Sequence, residues 1–281
     1  MSKTRKTALI TGASKGLGRA LAIEAAAIGF DLILVSLPQS GTYLLADQIE
    51  QTYDVSVKVF EIDLLDAESI DLLASYTDQL PSLEMLINNA GCGGSGAFET
   101  ASVAYIDKVL QLNVITMTLL TRKLIPALMR SSKRSYVMNI SSIAAFAPIG
   151  YKHVYPASKA FVYAFTLGLR EEYRNAGVSF STVHPGPMLT NSDSCRRIVK
   201  QGNIARFCLE STTKVAQTSL QATLKGKAVI IPGLGNKLTY LFMKLLPSGI
   251  VKKLITQGVK KEIDIENEPI KGNWNAQTIP T

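Results

Sequence analysis

A chain of 281 residues with 47% hydrophobic and 19% charged residues holds enough apolar material for one large core, and this composition excludes a disordered or fibrous protein. Its three cysteines (Cys92, Cys195, Cys208) and two histidines (His153, His184) are scattered, which argues against a disulfide framework or a Cys/His metal site. The net charge of +8 favours anionic partners, but the basic residues fall in small groups with no nucleic-acid-reading motif, so no nucleic acid is expected.

Short apolar runs at 7–11, 32–36, 55–62, 85–88, 136–141, 178–184 and 228–232 read as strands. Between them, helices are expected at 19–29, 42–53, 67–79, 103–130 (long or broken), 153–175 and 212–225. Strand and helix alternate throughout, which predicts an α/β fold: a Rossmann-type, doubly wound, mainly parallel sheet of seven strands with helices on both faces. No linker divides the chain before about residue 262, so one domain (1–261) and a polar, extended tail (262–281) are expected. The basic N-terminus runs into the first strand without an apolar signal core, and no uninterrupted apolar run approaches membrane-spanning length. A soluble, cytoplasmic protein is the expectation.

The first strand leads into Thr11-Gly12-Ala13-Ser14-Lys15-Gly16-Leu17-Gly18. Glycines here let the backbone turn sharply and approach a phosphate, and the following helix offers free N–H groups. The spacing G-x-x-x-G-x-G is wider than the G-x-G-x-x-G dinucleotide fingerprint. A carboxylate for a ribose 2′-hydroxyl belongs at the end of the second strand, where this chain has Ser36 and Leu37, while Asp31 sits at the opposite end. Without that carboxylate, and with Lys15 available for a 2′-phosphate, NADP(H) is favoured and NAD(H) is the alternative.

The second informative stretch runs from Ser142 to Lys159. Tyr155 and Lys159 are four residues apart, hence one turn apart on one face of a helix. A nearby ammonium favours a phenolate, so such a tyrosine can serve as a general acid or base. Ser142 lies thirteen residues earlier, at the end of a strand, and Ser141 is its rival.

Together these segments resemble the short-chain dehydrogenase/reductase family over about residues 7–232. Five motifs stand in that family's order: the glycine turn, Asn88-Asn89-Ala90-Gly91, Asn113, Ser142…Tyr155-x-x-x-Lys159, and Pro185-Gly186. The resemblance implies an NAD(P)-dependent oxidoreductase that reduces a carbonyl, or oxidises the alcohol. Tyr155 would be the proton donor or acceptor. Lys159 would lower its pKa and bond the nicotinamide ribose, and Ser142 would hold the substrate oxygen. Asn113 would hold a water linked to Lys159. Gly12, Ser14, Lys15, Gly16, Leu17 and Gly18 would cradle the cofactor phosphates. Asp63 with Leu64 would meet the adenine, Asn89, Ala90 and Gly91 would shape the cleft, and Pro185, Gly186 and Thr190 would face the nicotinamide. The family also suggests a homodimer or homotetramer.

Residues 191–210 correspond to that family's substrate lid and carry Arg196, Arg197, Lys200 and Arg206. Phe146, Pro148, Ile149 and Val154, with Met188 and Leu189, suggest an apolar pocket wall and a fairly apolar carbonyl substrate. His184 reads as a packed structural histidine, and His153, two residues before Tyr155, as a surface residue at a helix start or a lining residue of the pocket. Residues 238–255 place leucines and lysines at helical spacing, which fits core or lid packing, a subunit contact or a membrane-surface helix. Pro247, Ser248 and Gly249 would break this segment in two. A cofactor-binding sensor or a membrane-associated scaffold without turnover is the competing functional reading.

Overall fold

A computed structural model describes residues 6–131, 134–188 and 207–266. The strands are β1 (Lys6–Thr11), β2 (Phe30–Ser36), β3 (Val57–Glu61), β4 (Met85–Asn88), β5 (Ser135–Ile140), β6 (Val178–Val183) and β7 (Val229–Ile230). They form one sheet in the order β3-β2-β1-β4-β5-β6-β7, and every pairing is parallel. The helices are α1 (Gly16–Ala27), α2 (Thr42–Thr52), α3 (Ala67–Asp78), α4 (Val103–Leu110), α5 (Met117–Met129), α6 (Val154–Glu172), α7 (Thr212–Leu224), α8 (Leu234–Leu245) and α9 (Ser248–Glu266).

Strands buried on both faces need apolar residues at successive positions. In β1, Ala8 and Ile10 enter a core with Leu21, Ala25 and Val215 from α1 and α7. Leu9 points the other way, into a second core with Leu73, Leu120 and Leu124 from α3 and α5. Chain order reverses between β1 and β4, and the carboxyl ends of these strands leave the crevice where open α/β sheets bind ligands.

Several boundaries differ from the sequence expectation. Helix α1 starts at Gly16, so Gly16 and Gly18 belong to its first turn. Strand β3 starts at Val57, because the Ser56 N–H donates to Asp31 Oδ1 (2.8 Å) at the start of β2. The long helix at 103–130 continues from α4 into α5 through a π-helical turn, Gln111–Thr116. By length and composition Val103–Met129 could cross a membrane, but Asp107, Lys108, Arg122 and Lys123 interrupt it, and its Leu120, Leu124, Ile125 and Leu128 are buried under the sheet. Helix α9 runs to Glu266, four residues beyond the expected start of the tail.

A polar ladder crosses this apolar interior. Asn88 Nδ2 donates to Thr121 Oγ1 (2.9 Å) and Asn139 Oδ1 (2.8 Å), and Asn139 Nδ2 donates to Thr166 Oγ1 (2.9 Å). Both threonine hydroxyls donate back to helix carbonyls, Thr121 to Met117 and Thr166 to Val162. The ladder ties β4 and β5 to α5 and α6 directly beneath the crevice. Replacing Asn139 with Ala strands buried polar groups on both neighbours, and denaturant unfolding is expected to show a loss of roughly 2–3 kcal/mol.

Candidate active site

The glycine turn is latched to the loop after β4. Asn89 Nδ2 donates to the carbonyls of Thr11 (2.9 Å) and Gly12 (3.1 Å), while Thr11 Oγ1 accepts from the N–H groups of Asn89 and Ala90, both at 3.0 Å. Gly12 has φ +65°, a conformation that disfavours any side chain. A Cβ on Gly18 would stand 2.0 Å from the Gly12 carbonyl oxygen. Lys15 begins α1 in extended backbone and makes no side-chain cap, leaving the helix N-terminus to an outside acceptor. A bare glycine backbone beside an uncapped helix start suits a pyrophosphate, so these residues fit a dinucleotide. Leu17 is buried in the core and can offer only its backbone, whereas Lys15 is exposed.

The adenosine end holds a feature the sequence reading missed. Glu61 ends β3 opposite Ser36, and its carboxylate accepts from the Gln39 (2.9 Å) and Thr42 (3.4 Å) N–H groups. A carboxylate therefore does stand near the end of β2, held by the β2–α2 loop. Leu37 is exposed. Asp63 accepts from the Leu65 N–H (3.0 Å). The Leu64 side chain is buried in the core, and its carbonyl accepts from Thr116 Oγ1 (3.0 Å).

Lys159 is the centre of the other half. It is only 6% exposed, and its Nζ donates to the Ile140 carbonyl (2.8 Å) at the end of β5. Burial lowers its pKa to about 8. At neutral pH it remains a cation. The Tyr155 ring lies with its centroid 5.9 Å from Nζ. Gly93 packs on that ring, since a Cβ there would come within 2.3 Å of Tyr155 Cδ2. A Cβ on Gly91 would stand 3.3 Å from Lys159 Nζ and 2.9 Å from Asn113 Oδ1. The loop 91–93 thus brings bare backbone to the lysine, the tyrosine and the asparagine, a second cradle that fits the ribose and nicotinamide end of a cofactor.

Asn113 sits inside the π-helical turn, a distortion that often marks functional sites. Its Nδ2 donates to the Cys92 carbonyl and Ser158 Oγ (both 2.9 Å), and its Oδ1 accepts from the Cys92 N–H (3.0 Å). Ser158 Oγ in turn donates to the Tyr155 carbonyl (2.8 Å). The Asn113 side chain is therefore a brace between loop and helix, with both its donors used. Burial pushes the Cys92 thiol up, keeping it protonated.

Of the two serines, Ser141 donates its hydroxyl to the Lys159 carbonyl (2.7 Å), so it is spent on structure. Ser142 Oγ accepts from the Ala144 N–H (3.2 Å), which leaves its own O–H to donate elsewhere. Three contacts from the end of β6 fix Ser142. The Ser141 N–H donates to the Val183 carbonyl (2.8 Å) and the Ile143 N–H to the Pro185 carbonyl (3.0 Å). Between them, His184 Nδ1 stands 3.0 Å from the Ser142 carbonyl, which only an Nδ1–H can satisfy. His184 Nε2 then accepts from Thr182 Oγ1 (3.1 Å).

The expected pocket wall is different in kind. Phe146 turns inward, stacking on His184 at 4.4 Å and meeting Tyr163 (5.4 Å) and Tyr240 of α8 (4.4 Å). Ile149 is also buried, and Pro148 faces solvent. An open cleft of about 370 Å³ lies instead between the glycine-rich loop and the segment before α6, lined by Ser95, Ser102, Tyr105, Tyr151, Lys152, His153 and Val154 among others. It is more polar than the sequence suggested. His153 stands at the start of α6, lines this cleft and packs edge-on against Phe98 (4.8 Å). Gly186 approaches Asn236 of α8 so closely that a Cβ would overlap Asn236 Oδ1 at 1.9 Å. Asn236 carried no signal in the sequence. Thr190, Leu189 and most of the lid lie outside the described residues.

A family model described as short chain dehydrogenase matches residues 6–198. The chain is 30% identical over 249 residues to the ketoacyl reductase HetN of Nostoc, covering 86% of this chain and 83% of that one. It is 33% identical over 183 residues to a very-long-chain 3-oxoacyl-CoA reductase of Anas platyrhynchos, which covers 63% of this chain but only 58% of the duck protein's length. Among solved structures, a bulky-bulky ketone specific alcohol dehydrogenase from Comamonas testosteroni superimposes with a TM-score of 0.72 at 27% identity, over 87% of this chain and 96% of that one.

Burial lowers the His184 pKa from 6.5 to about 4, outweighing its bond to the Ser142 carbonyl, which acts the other way. As pH falls through this window the unfolded chain takes up the proton first. The stability His184 contributes is then full above pH 6.5 and declines toward pH 4, by roughly 3 kcal/mol in all. Urea unfolding at a series of pH values is expected to show wild type losing stability relative to His184→Gln across that interval.

Proposed function

The chain belongs to the short-chain dehydrogenase family, and on that premise we propose that it reduces a carbonyl compound with NADP(H), or oxidises the corresponding alcohol. The convergence of Tyr155, the buried Lys159 cation and the close-approaching glycines Gly91 and Gly93 at the switch-point crevice carries this reading. In it, Tyr155 delivers a proton to the carbonyl oxygen, and Lys159 stabilises the phenolate left behind. Ser142 donates its hydroxyl to the same oxygen, held in place by its clamp to β6. Asn113 positions Cys92, Gly91 and the first turn of α6; its engaged side chain leaves any water contact to its carbonyl. When bound, the nicotinamide supplies or accepts the hydride. Gly12, Ser14, Gly16 and the backbone of Leu17 would hold the phosphates, and Pro185 and Gly186 would stand at the nicotinamide end.

NADP(H) is preferred on the strength of the exposed Lys15 and the absence of a carboxylate at Ser36 and Leu37. Glu61 weighs less in the opposite direction, because its oxygens are bonded to the Gln39 and Thr42 N–H groups. The substrate reading is a medium-to-large carbonyl with an extended apolar part. The ketoacyl and bulky-ketone activities named for relatives support that size. The tyrosine, histidine and lysine lining the cleft suit a polar group at one end of the same molecule. We further read the protein as a cytoplasmic homodimer or homotetramer paired through α5 and α6, where Leu119 and Phe161 are exposed.

Screening the purified protein against ketoacyl thioesters, bulky ketones, sugars and quinones with NADPH and NADH tests the function. Tyr155→Phe is expected to lose about 10²–10⁴-fold in turnover while still binding cofactor. Full turnover in that variant contradicts the role given to Tyr155, and fastest turnover with small sugars contradicts the substrate class. Lys15→Ala is expected to raise KM for NADPH and leave KM for NADH little changed. Equal effects on both cofactors contradict the NADP(H) preference.

A further inference from the structure

Helix α8 is amphipathic with its apolar side facing outward. Leu234, Leu238, Leu241, Phe242 and Leu245 fall within about a third of the helical circumference, and all are exposed, Leu234 and Leu245 by 75% and 73%. The opposite side carries the docking contacts. Asn236 Nδ2 donates to the carbonyls of Cys208 (3.1 Å) and Pro232 (2.9 Å), Thr239 meets Cys208 Sγ (3.3 Å), and Tyr240 packs on Phe146. The helix is thus held to the protein by polar and aromatic groups and presents its leucines to the outside. Beyond the turn at Pro247, α9 exposes Ile250 and Leu254 as well.

Apart from Glu210, which lies against Gly233 at the start of α8 and pairs with Lys214 (3.0 Å), and the acidic residues at the end of α9 (Glu262, Asp264, Glu266), the charge around this stripe is positive. Residues 211–261 contain nine lysines and no aspartate, glutamate or arginine, which leaves the rest of the chain at a net −1. The basic excess is therefore concentrated here, not dispersed as small groups suggest at first reading. Lys237 and Lys244 border one edge of the stripe on α8, with Lys252, Lys253 and Lys260 following on α9. Lys244 lies 5.1 Å over the Tyr240 ring.

We propose that α8 and the start of α9 form a docking surface for an anionic lipid bilayer, with the leucine stripe in the headgroup boundary and the lysines on lipid phosphates. The other occupants fit less well. A second copy packed stripe to stripe would bring the lysines of α8 and of the start of α9 against one another, with no carboxylate between residues 234 and 261. The lid stretch 191–206 is itself basic in sequence, with Arg196, Arg197, Lys200 and Arg206. Nucleic acid would satisfy the lysines and leave five apolar side chains in water. The inner face of α8 touches Phe146, four residues from Ser142. A bilayer here would lie about one helix diameter, roughly 10 Å, from the catalytic loop.

Flotation of the full-length protein with vesicles of phosphatidylcholine alone, or of phosphatidylcholine mixed with phosphatidylglycerol, tests the proposal. The protein is expected to float with the anionic vesicles at low salt, weakly at high salt and scarcely with the neutral ones. Lys237→Gln and Lys244→Gln are expected to weaken binding roughly fivefold each. The double variant Leu241→Glu/Phe242→Glu, whose positions are already solvent-exposed, is expected to abolish flotation with unchanged circular dichroism and gel-filtration elution. Failure of the wild type to float with anionic vesicles overturns the proposal, as does undiminished flotation of the double variant. A shift of that variant to a smaller oligomer also overturns it, by assigning the stripe to a second copy.

Discussion

A lysine ammonium almost wholly removed from water is the constraint around which the rest of this protein is arranged. Burying a cation is unfavourable unless it is paired or strongly hydrogen-bonded. Here the cost shows as the lowered pKa of Lys159. The site keeps that cation in place by stiffness. Its Nζ bonds the last carbonyl of β5, its own carbonyl accepts from Ser141, and the helix turn before it is braced through Ser158 to Asn113. Asn113 in turn holds the loop that follows β4. In the mechanism proposed for Tyr155, a charge fixed in this way would need no rearrangement when a phenolate forms beside it.

The same logic extends below and beside the lysine. The Asn88–Asn139 ladder joins the two strands whose ends carry the loop 89–93 and the serine pair. The Thr11–Asn89 latch then couples the phosphate turn to that loop, so the two cradles are set by one continuous set of hydrogen bonds. On the far side, His184 replaces a strand partner for the Ser142 carbonyl, and Phe146, Tyr163 and Tyr240 enclose its ring. Through Tyr240, the loop that follows Ser142 is in contact with the lysine-bordered helix α8.

Much of this was legible in the sequence. Alternating apolar runs and helical stretches gave the parallel sheet, and short-range spacing gave the turn at Gly12–Gly18 and the pair Tyr155 and Lys159. What escaped was set by tertiary contact. Phe146 looked like a pocket wall, because sequence cannot tell an aromatic side chain facing a cleft from one stacked on a buried histidine. His184 reads as packed, which is correct, but its hold on Ser142 depends on where β5 and β6 end. Glu61 lies twenty-five residues from Ser36 and meets the β2–α2 loop only through strand pairing. Asn236 has no local signature at all. The run of nine lysines without a carboxylate was visible, and only a tally by segment brings it out.

The central claim is that Tyr155 and Lys159 serve a direct hydride transfer between nicotinamide and a carbonyl carbon. The most direct measurement follows the hydrogen itself. NADPH carrying deuterium at the transferable C4 position is incubated with the protein and a ketone that it turns over, and the alcohol is analysed by mass spectrometry and NMR. The account predicts one deuterium on the carbinol carbon, from one face of the nicotinamide only. An alcohol whose carbinol hydrogen comes from solvent, or no alcohol with any carbonyl class, would contradict it.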